Sequence, residues 1–115
     1  MSPEISLEEL SPMIRLHTAT VVEALPVGSY ASGHLPGAIN LPLDRLESEA
    51  ALRLPDRDAN IVVYCSGPTC NNSHIAERKL SAMGYSHVCV FTGGKAAWKD
   101  AGLPLEATLP LEAAS

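Results

Sequence analysis

Cys65 is the residue whose type and position best suit nucleophilic chemistry in this sequence. It follows the apolar run of residues 61–64, which is typical of a strand covered on both faces, and a helix is predicted to begin near Asn71 or Asn72. Ligands bind beyond the carboxyl ends of the strands in an open α/β sheet. Loop amides and a helix start stabilise negative charge there, so we predict a lowered pKa for the Cys65 thiol. The alternative is a buried structural cysteine, a common place for a free thiol.

The loop after Cys65 predicts an anion site made of backbone amides. It consists of Ser66, Gly67, Pro68, Thr69, Cys70 and Asn71. Because proline has no N–H, Pro68 contributes no donor, and it also restricts the residue before it. The loop contains no Lys or Arg, so we expect backbone dipoles to meet the charge of a substrate. A cysteine phosphatase needs Arg six positions after its nucleophile, and Asn71 at that position argues against such an activity.

Cys70 lies five positions after Cys65 and leaves two interpretations open. It is either a resolving thiol that attacks a persulfide or sulfenate on Cys65 to form a disulfide, or a small apolar residue of the core, which we favour. Cys89 lies within a predicted strand and suggests core packing. No metal site is predicted, because the first two cysteines have no matching second pair. His74 could approach the anion from the first turn of the helix, but a solvated position is favoured.

Strands alternate with helices along the whole chain. Stretches rich in β-branched or apolar residues predict strands over residues 20–25, 38–41, 61–65 and 87–91. Helices are predicted after Ser6, over residues 43–54, from residue 71 or 72 to 83, and around Trp98. Pro12 predicts that the first helix is short or begins again there. The alternation predicts a parallel sheet with helices on both faces, in one domain over residues 1–115 with a core of about 5–105 and a loosely held tail from Glu106 to Ser115.

Length and charge exclude several classes of protein. The chain has 115 residues, of which 46% are hydrophobic and 18% charged, and this suits one small globular domain. Its net charge of −5 disfavours nucleic acid and anionic membrane surfaces as partners. Three cysteines do not make a disulfide framework. No apolar run approaches the roughly 20 residues of a membrane helix, and no secretory signal opens the sequence, so we expect a cytoplasmic protein.

Four segments, in order along the chain, resemble the signatures of rhodanese-like domains. Residues 33–42, GHLPGAINLP, resemble GHxPGAxNxP, and residues 62–65, VVYC, resemble the strand that leads into the family's active-site cysteine. Residues 93–98, GGKAAW, and 102–104, GLP, resemble its GGxxAW and GxP ending. The resemblance implies an α/β fold with a central five-stranded parallel sheet. It also implies sulfane-sulfur transfer through a persulfide on Cys65 without a metal or organic cofactor, and it places the turn of Gly93 and Gly94 near the loop.

Two departures from the family pattern bear on the sulfur donor. Many members carry Asp-x-Arg before the GHxPG segment, whereas this chain has Glu23, Ala24 and Leu25. Members that use thiosulfate usually have basic residues in the loop. We therefore expect thiosulfate to be a poor donor and a neutral or protein-bound persulfide to be a better one, with a small or protein thiol as acceptor. The alternative function is a rhodanese-like module without turnover, which binds a partner or senses thiol oxidation through Cys65 and Cys70.

Overall fold

The structure is a computed structural model in which residues 3–107 are described. Its centre is a sheet of four parallel strands in the spatial order β2-β1-β3-β4. The strands are β1 (Thr20–Glu23), β2 (Ile39–Asn40), β3 (Ile61–Tyr64) and β4 (Val88–Phe91). The chain proceeds from β1 to β2 on one side and returns past β1 to form β3 and β4 on the other. This change of direction opens a crevice at the carboxyl ends of β1 and β3, which is where open α/β sheets bind ligands.

Within residues 3–107, five helices cover the two faces of the sheet, four of them predicted from the alternating pattern. They are α1 (Leu7–Leu16), α2 (Val27–Ser32), α3 (Leu43–Arg53), α4 (Asn72–Ala82) and α5 (Gly94–Asp100). Successive residues of β3 point to opposite faces, so Val63 packs with residues of α3 and α4 while Val62 and Tyr64 pack with residues of α1 and α5. Both faces are apolar, which explains why β3 reads as an unbroken hydrophobic run.

The predicted fifth strand is wrong for the described residues, because the sheet has four strands. Its place is taken by a single parallel bridge between Glu4 and Val90 at the β4 edge. The Val90 amide donates to Pro3 O at 2.8 Å and the Ile5 amide donates to Val90 O at 3.0 Å. The pairing stops there because Ser6 caps α1 immediately afterwards, so the segment is too short for a regular strand.

Local signals predicted the start of α1 correctly but not its course. Ser6 Oγ accepts a hydrogen bond from the Glu9 amide, and the Glu9 carboxylate accepts one from the Ser6 amide, which completes a capping box. The helix then runs through Pro12 to Leu16 without a break, since the missing proline N–H removes only one helical hydrogen bond. Sequence patterns missed α2 altogether, because its six residues carry no amphipathic repeat and none is buried.

Glu106, the first residue of the predicted tail, is held by hydrogen bonds. The amide of Glu106 donates to His34 O, and the His34 amide donates to Glu106 O, both at 2.8 Å. The Glu106 carboxylate also accepts a hydrogen bond from the Gly37 amide at 3.0 Å. Residues 108–115 of the predicted tail lie outside the described residues. Within the described part of the chain, no helix has the length and apolar character needed to cross a membrane.

Candidate active site

Cys65 lies directly after β3, at the crevice between the ends of β1 and β3. Its side chain is buried, with 1% of its surface exposed. The Cys65 sulfur lies 3.3 Å from the carbonyl oxygen of Cys70 and 3.4 Å from Ser73 Oγ, so its single proton can be donated to either oxygen. Ser73 lies in the first turn of α4 and is also buried. The eight-residue separation of Ser73 from Cys65 carries no signal in the sequence that the two side chains would meet.

The backbone amides at the start of α5 bind the carbonyl groups of Cys65 and Ser66. The Lys95 amide donates to Cys65 O at 3.1 Å, and the Ala96 amide donates to Ser66 O at 2.9 Å. The first amides of a helix have no partner within the helix, so these two are free to bind the loop. Binding both carbonyls to α5 fixes the orientation of the peptide groups that follow Cys65.

Gly94 makes the close approach of α5 to the loop possible. It has φ +60°, and a Cβ at this position would lie 2.4 Å from Cys65 O and 2.8 Å from Gly67 N. Neither the conformation nor the space suits another residue. Gly93 precedes it with a Cβ position 2.5 Å from Ala97 Cβ. The two glycines thus lie near the loop, as the family resemblance implied.

The loop offers fewer free amides than its sequence predicts. The Cys70 amide donates to Gly67 O at 3.1 Å and closes a turn across Pro68 and Thr69, so it is not available to a bound anion. Ser66, Pro68, Thr69 and Asn71 are exposed, whereas Gly67 is buried against Ala96.

Helix α4 begins without a side-chain cap. Asn71 is the N-cap residue, but its side chain makes no capping hydrogen bond. Asn72 Nδ2 instead donates to Ala24 O at 3.0 Å. This contact joins the start of α4 to the end of β1 across the crevice.

The prediction of a lowered pKa for Cys65 is wrong for the resting pair of thiols. Burial raises the pKa of Cys65, a hydrogen bond with the Cys70 side chain raises it further, and hydrogen bonds from Ser73 offset only part of the effect. Burial also opposes ionisation of Cys70. There, however, hydrogen bonds from the Cys65 thiol and from the Asn72 and Ser66 amides prevail and lower the pKa of the Cys70 thiol. The loop therefore directs its stabilising amides to Cys70 in this state.

A buried polar network lies beneath the loop. Glu23 is fully buried, accepts a hydrogen bond from Tyr64 Oη at 2.7 Å and forms an ion pair with Lys95 Nζ at 3.1 Å. Lys95 Nζ also donates to Ser29 O at 2.7 Å, and Tyr64 Oη accepts from the Leu35 amide at 3.0 Å. Burial and the Glu23 carboxylate raise the pKa of Tyr64, so it stays a protonated donor. The family resemblance placed the acid at Glu23, but nothing in the sequence assigned Lys95 as its partner.

Two cavities flank the loop and bring cations to its borders. One, of about 400 Å³, lies against Ala24, Leu25, Arg45 and Asn72 at the crevice. The other, of about 310 Å³, lies against Ser66, Lys95 and Lys99. The loop itself contains no Lys or Arg, but basic side chains from α3 and α5 line the two cavities beside it. Only contacts formed by the fold could reveal them.

The other candidate side chains take minor places. His74 is half-buried in the first turn of α4 and has no hydrogen bond or ion pair with the described residues. Cys89 is half-buried within β4 and lines an apolar cavity with Ile5 and Met13. Trp98 is buried, and its Nε1 donates to Pro104 O at 2.8 Å. Across residues 3–107, His, Cys, Asp and Glu form no cluster of three suited to a metal ion.

Comparisons with known proteins agree with this arrangement. The family model described as Rhodanese-like domain matches residues 6–101. The chain is 36% identical over 112 residues to the HTH-type transcriptional regulator Rv0324 of Mycobacterium tuberculosis, covering 96% of this chain and 48% of the regulator. It therefore spans about half the length of that relative.

A shorter relative and a solved structure match over most of their lengths. The thiosulfate sulfurtransferase GlpE of Pseudomonas fluorescens is 31% identical over 91 residues, which is 79% of this chain and 80% of GlpE. The crystal structure of the BH2092 protein from Bacillus halodurans superposes with a TM-score of 0.85 at 29% identity, covering 94% of this chain and 79% of that one. The chain belongs to the rhodanese-like domain family.

Proposed function

We propose that this protein is a sulfurtransferase that carries sulfane sulfur as a persulfide on Cys65. The observation that carries the proposal is the position of this thiol. It lies at the crevice of the sheet, in a loop whose carbonyl groups are bound to the Lys95 and Ala96 amides. Similarity to a thiosulfate sulfurtransferase supports the same class of reaction.

The reaction has two nucleophilic steps. The Cys65 thiolate attacks the outer sulfur of a donor, forms an S–S bond and releases the rest of the donor as an anion. An acceptor thiolate then attacks the outer sulfur of the persulfide and displaces the Cys65 thiolate. Ser73 Oγ, 3.4 Å from the sulfur, can rotate its proton to donate to the thiolate. The free loop amides then stabilise the charge on the outer sulfur.

We further propose that thiosulfate is a poor donor for this site, and a neutral or protein-bound persulfide a better one. The loop has no basic side chain, and the nearest lysine beneath it, Lys95, binds Glu23 and Ser29 O. The position at which many members have arginine is Leu25, which lines the crevice cavity. Steady-state kinetics with thiosulfate and cyanide test this, and a submillimolar KM for thiosulfate would contradict it.

Intact-mass measurement after treatment with a low-molecular-weight persulfide tests the main proposal. We expect an adduct of about 32 Da, one sulfur atom, on the wild-type chain and on Cys89→Ser but not on Cys65→Ser. Cys89→Ser is the matched control because that thiol lies within β4, away from the loop. An adduct of equal yield on Cys65→Ser would refute the assignment of the carrier.

A second candidate function is a rhodanese-like module that senses thiol oxidation without turnover. Direct interaction between the Cys65 and Cys70 thiols favours it, as does similarity to a protein named as a transcriptional regulator. Failure to form the persulfide with several donors, together with a Cys65–Cys70 disulfide after mild oxidation, would favour this candidate over the enzyme.

A further inference from the structure

Cys65 and Cys70 are brought together by the path of the loop. The hydrogen bond from the Cys70 amide to Gly67 O folds the chain back after Thr69. As a result the Cys65 sulfur lies 3.3 Å from the Cys70 carbonyl oxygen, which brings residue Cys70 against the Cys65 thiol, and each thiol shifts the pKa of the other. Cys70 is half-buried and Cys65 is buried. The pair is thus enclosed on one side and reachable from solvent at Cys70.

The two thiols differ in their readiness to ionise. Cys70 receives hydrogen bonds from the Asn72 and Ser66 amides, whereas burial favours the protonated form of Cys65. A persulfide on Cys65 places a sulfur–sulfur bond beside the more acidic partner. Thiolates attack such bonds, and the displaced sulfur leaves as an anion. Cys70 is therefore set to act as the nucleophile once Cys65 carries the sulfur.

We infer that Cys70 is a resolving thiol, which attacks the inner sulfur of the Cys65 persulfide, forms a Cys65–Cys70 disulfide and releases the outer sulfur as hydrosulfide. The inference rests on the proposed function. The bond that forms joins the two Sγ atoms, and the bond that breaks joins Cys65 Sγ to the outer sulfur. The outer sulfur leaves with the bonding electron pair and its proton, and is reduced to HS⁻. The two cysteine sulfurs are oxidised together, and a dithiol reductant restores them.

With Cys70 in this role, two reactions compete for the Cys65 persulfide. An acceptor thiol that reaches the outer sulfur first receives it, and Cys65 returns to its resting state. Without an acceptor, attack by Cys70 ends the reaction with free sulfide and an oxidised loop. Because both thiols belong to one loop, the second outcome is intramolecular, and its rate does not depend on the concentration of the protein.

The test follows the fate of the persulfide after the donor has been removed. The wild type, Cys70→Ser, Cys70→Ala and Cys89→Ser are loaded with a low-molecular-weight persulfide, desalted at acidic pH and returned to mildly alkaline pH. Intact mass, peptide mapping and released sulfide are then measured over time. In the wild type and Cys89→Ser we expect the adduct of about 32 Da to give way to a species about 2 Da lighter than the reduced chain, with one sulfide released per chain. In both Cys70 variants we expect the adduct to persist about tenfold longer or more.

The outcomes separate this inference from the proposed function. If the adduct forms on none of the four chains, the proposed function is refuted and the resolving role with it. If it forms on all chains and decays equally slowly in the wild type and Cys70→Ser, the resolving role alone is refuted. A disulfide that maps to Cys89, or a decay rate that rises with protein concentration, also overturns the inference. The two Cys70 variants guard against a folding defect specific to one substitution.

Discussion

Gly94→Ala is expected to disrupt the loop that carries Cys65. A methyl group at this position would lie 2.4 Å from Cys65 O, whereas ordinary contact begins near 3.4 Å. The loop or α5 must therefore move by about 1 Å. That shift weakens the hydrogen bonds from the Lys95 and Ala96 amides to the loop carbonyls, each of which contributes about 1 kcal/mol. The left-handed backbone at φ +60° adds about 1–2 kcal/mol for a residue other than glycine.

Gly102→Ala is the matched control for this substitution. Gly102 has φ +77°, and a Cβ there would have no atom within 4 Å. It therefore carries the same left-handed penalty and the same loss of unfolded-state entropy, but no clash. We expect urea unfolding to show Gly94→Ala less stable than Gly102→Ala by about 2 kcal/mol. This difference isolates the contact between α5 and the loop.

The effect on sulfur transfer should exceed the effect on stability. Displacement of a reacting group by about 1 Å can lower a rate by about 100-fold. We expect persulfide formation to be slower by this factor in Gly94→Ala and to proceed near the wild-type rate in Gly102→Ala. The rates are measured on folded protein by quenching the reaction at set times and recording the intact mass. Equal stability and equal rates for the two variants would refute the argument that close approach of α5 positions Cys65.

Three further predictions concern the surroundings of Cys65. Cys70→Ser removes a hydrogen bond that raises the pKa of Cys65, and Ser73→Ala removes one that lowers it; in a Cys89→Ser background the pH midpoint of Cys65 alkylation should fall in the first variant and rise in the second, and shifts in the same direction would contradict the assignment. Tyr64→Phe leaves the Leu35 amide and a Glu23 oxygen without their buried partner. Urea unfolding should therefore show a free energy of unfolding lower by about 2–3 kcal/mol, and a decrease below about 0.5 kcal/mol would refute the stabilising role of the network. Ser66→Arg adds a cation at an exposed loop position, which should raise kcat/KM for thiosulfate about fivefold, or about 1 kcal/mol, relative to Ser66→Gln; no gain would show that missing charge is not what limits thiosulfate.

Signals carried by neighbouring residues predicted the alternation of strands and helices and the position of Cys65. The apolar run of β3 placed Cys65 at the end of a buried strand, and the capping box at Ser6 placed the start of α1. These features depend on residues a few positions apart, where sterics and hydrogen bonding leave few alternatives. The described residues form no regular fifth strand, because the segment before the helix cap is long enough for only one bridge, at Glu4.

Features that depend on contacts between distant segments escaped prediction. Lys95 and Glu23 are far apart in sequence, and only the packing of α5 beside β1 joins them. The raised pKa of Cys65 escaped for a different reason. A helix start generally lowers the pKa of a nearby thiol, but here the Ser66 and Asn72 amides act on Cys70, and burial governs Cys65. The direction of a pKa shift depends on where each amide points, which residue types alone do not specify.

Lys95 explains why this site can lack a cation in its loop and still retain the family's acid. In many members the acid on β1 stands two residues before an arginine, whereas here that position is Leu25 and the buried Glu23 takes its ion-pair partner from α5. A buried carboxylate without such a partner would be strongly destabilising. Lys95 therefore serves two contacts at once: its ammonium group binds Glu23, and its amide binds Cys65 O. The ammonium group thus holds α5 against the sheet, and the backbone amide of the same residue holds the loop against α5. It follows that withdrawing the Lys95 side chain toward an anionic donor would leave the Glu23 carboxylate buried without its ion-pair partner.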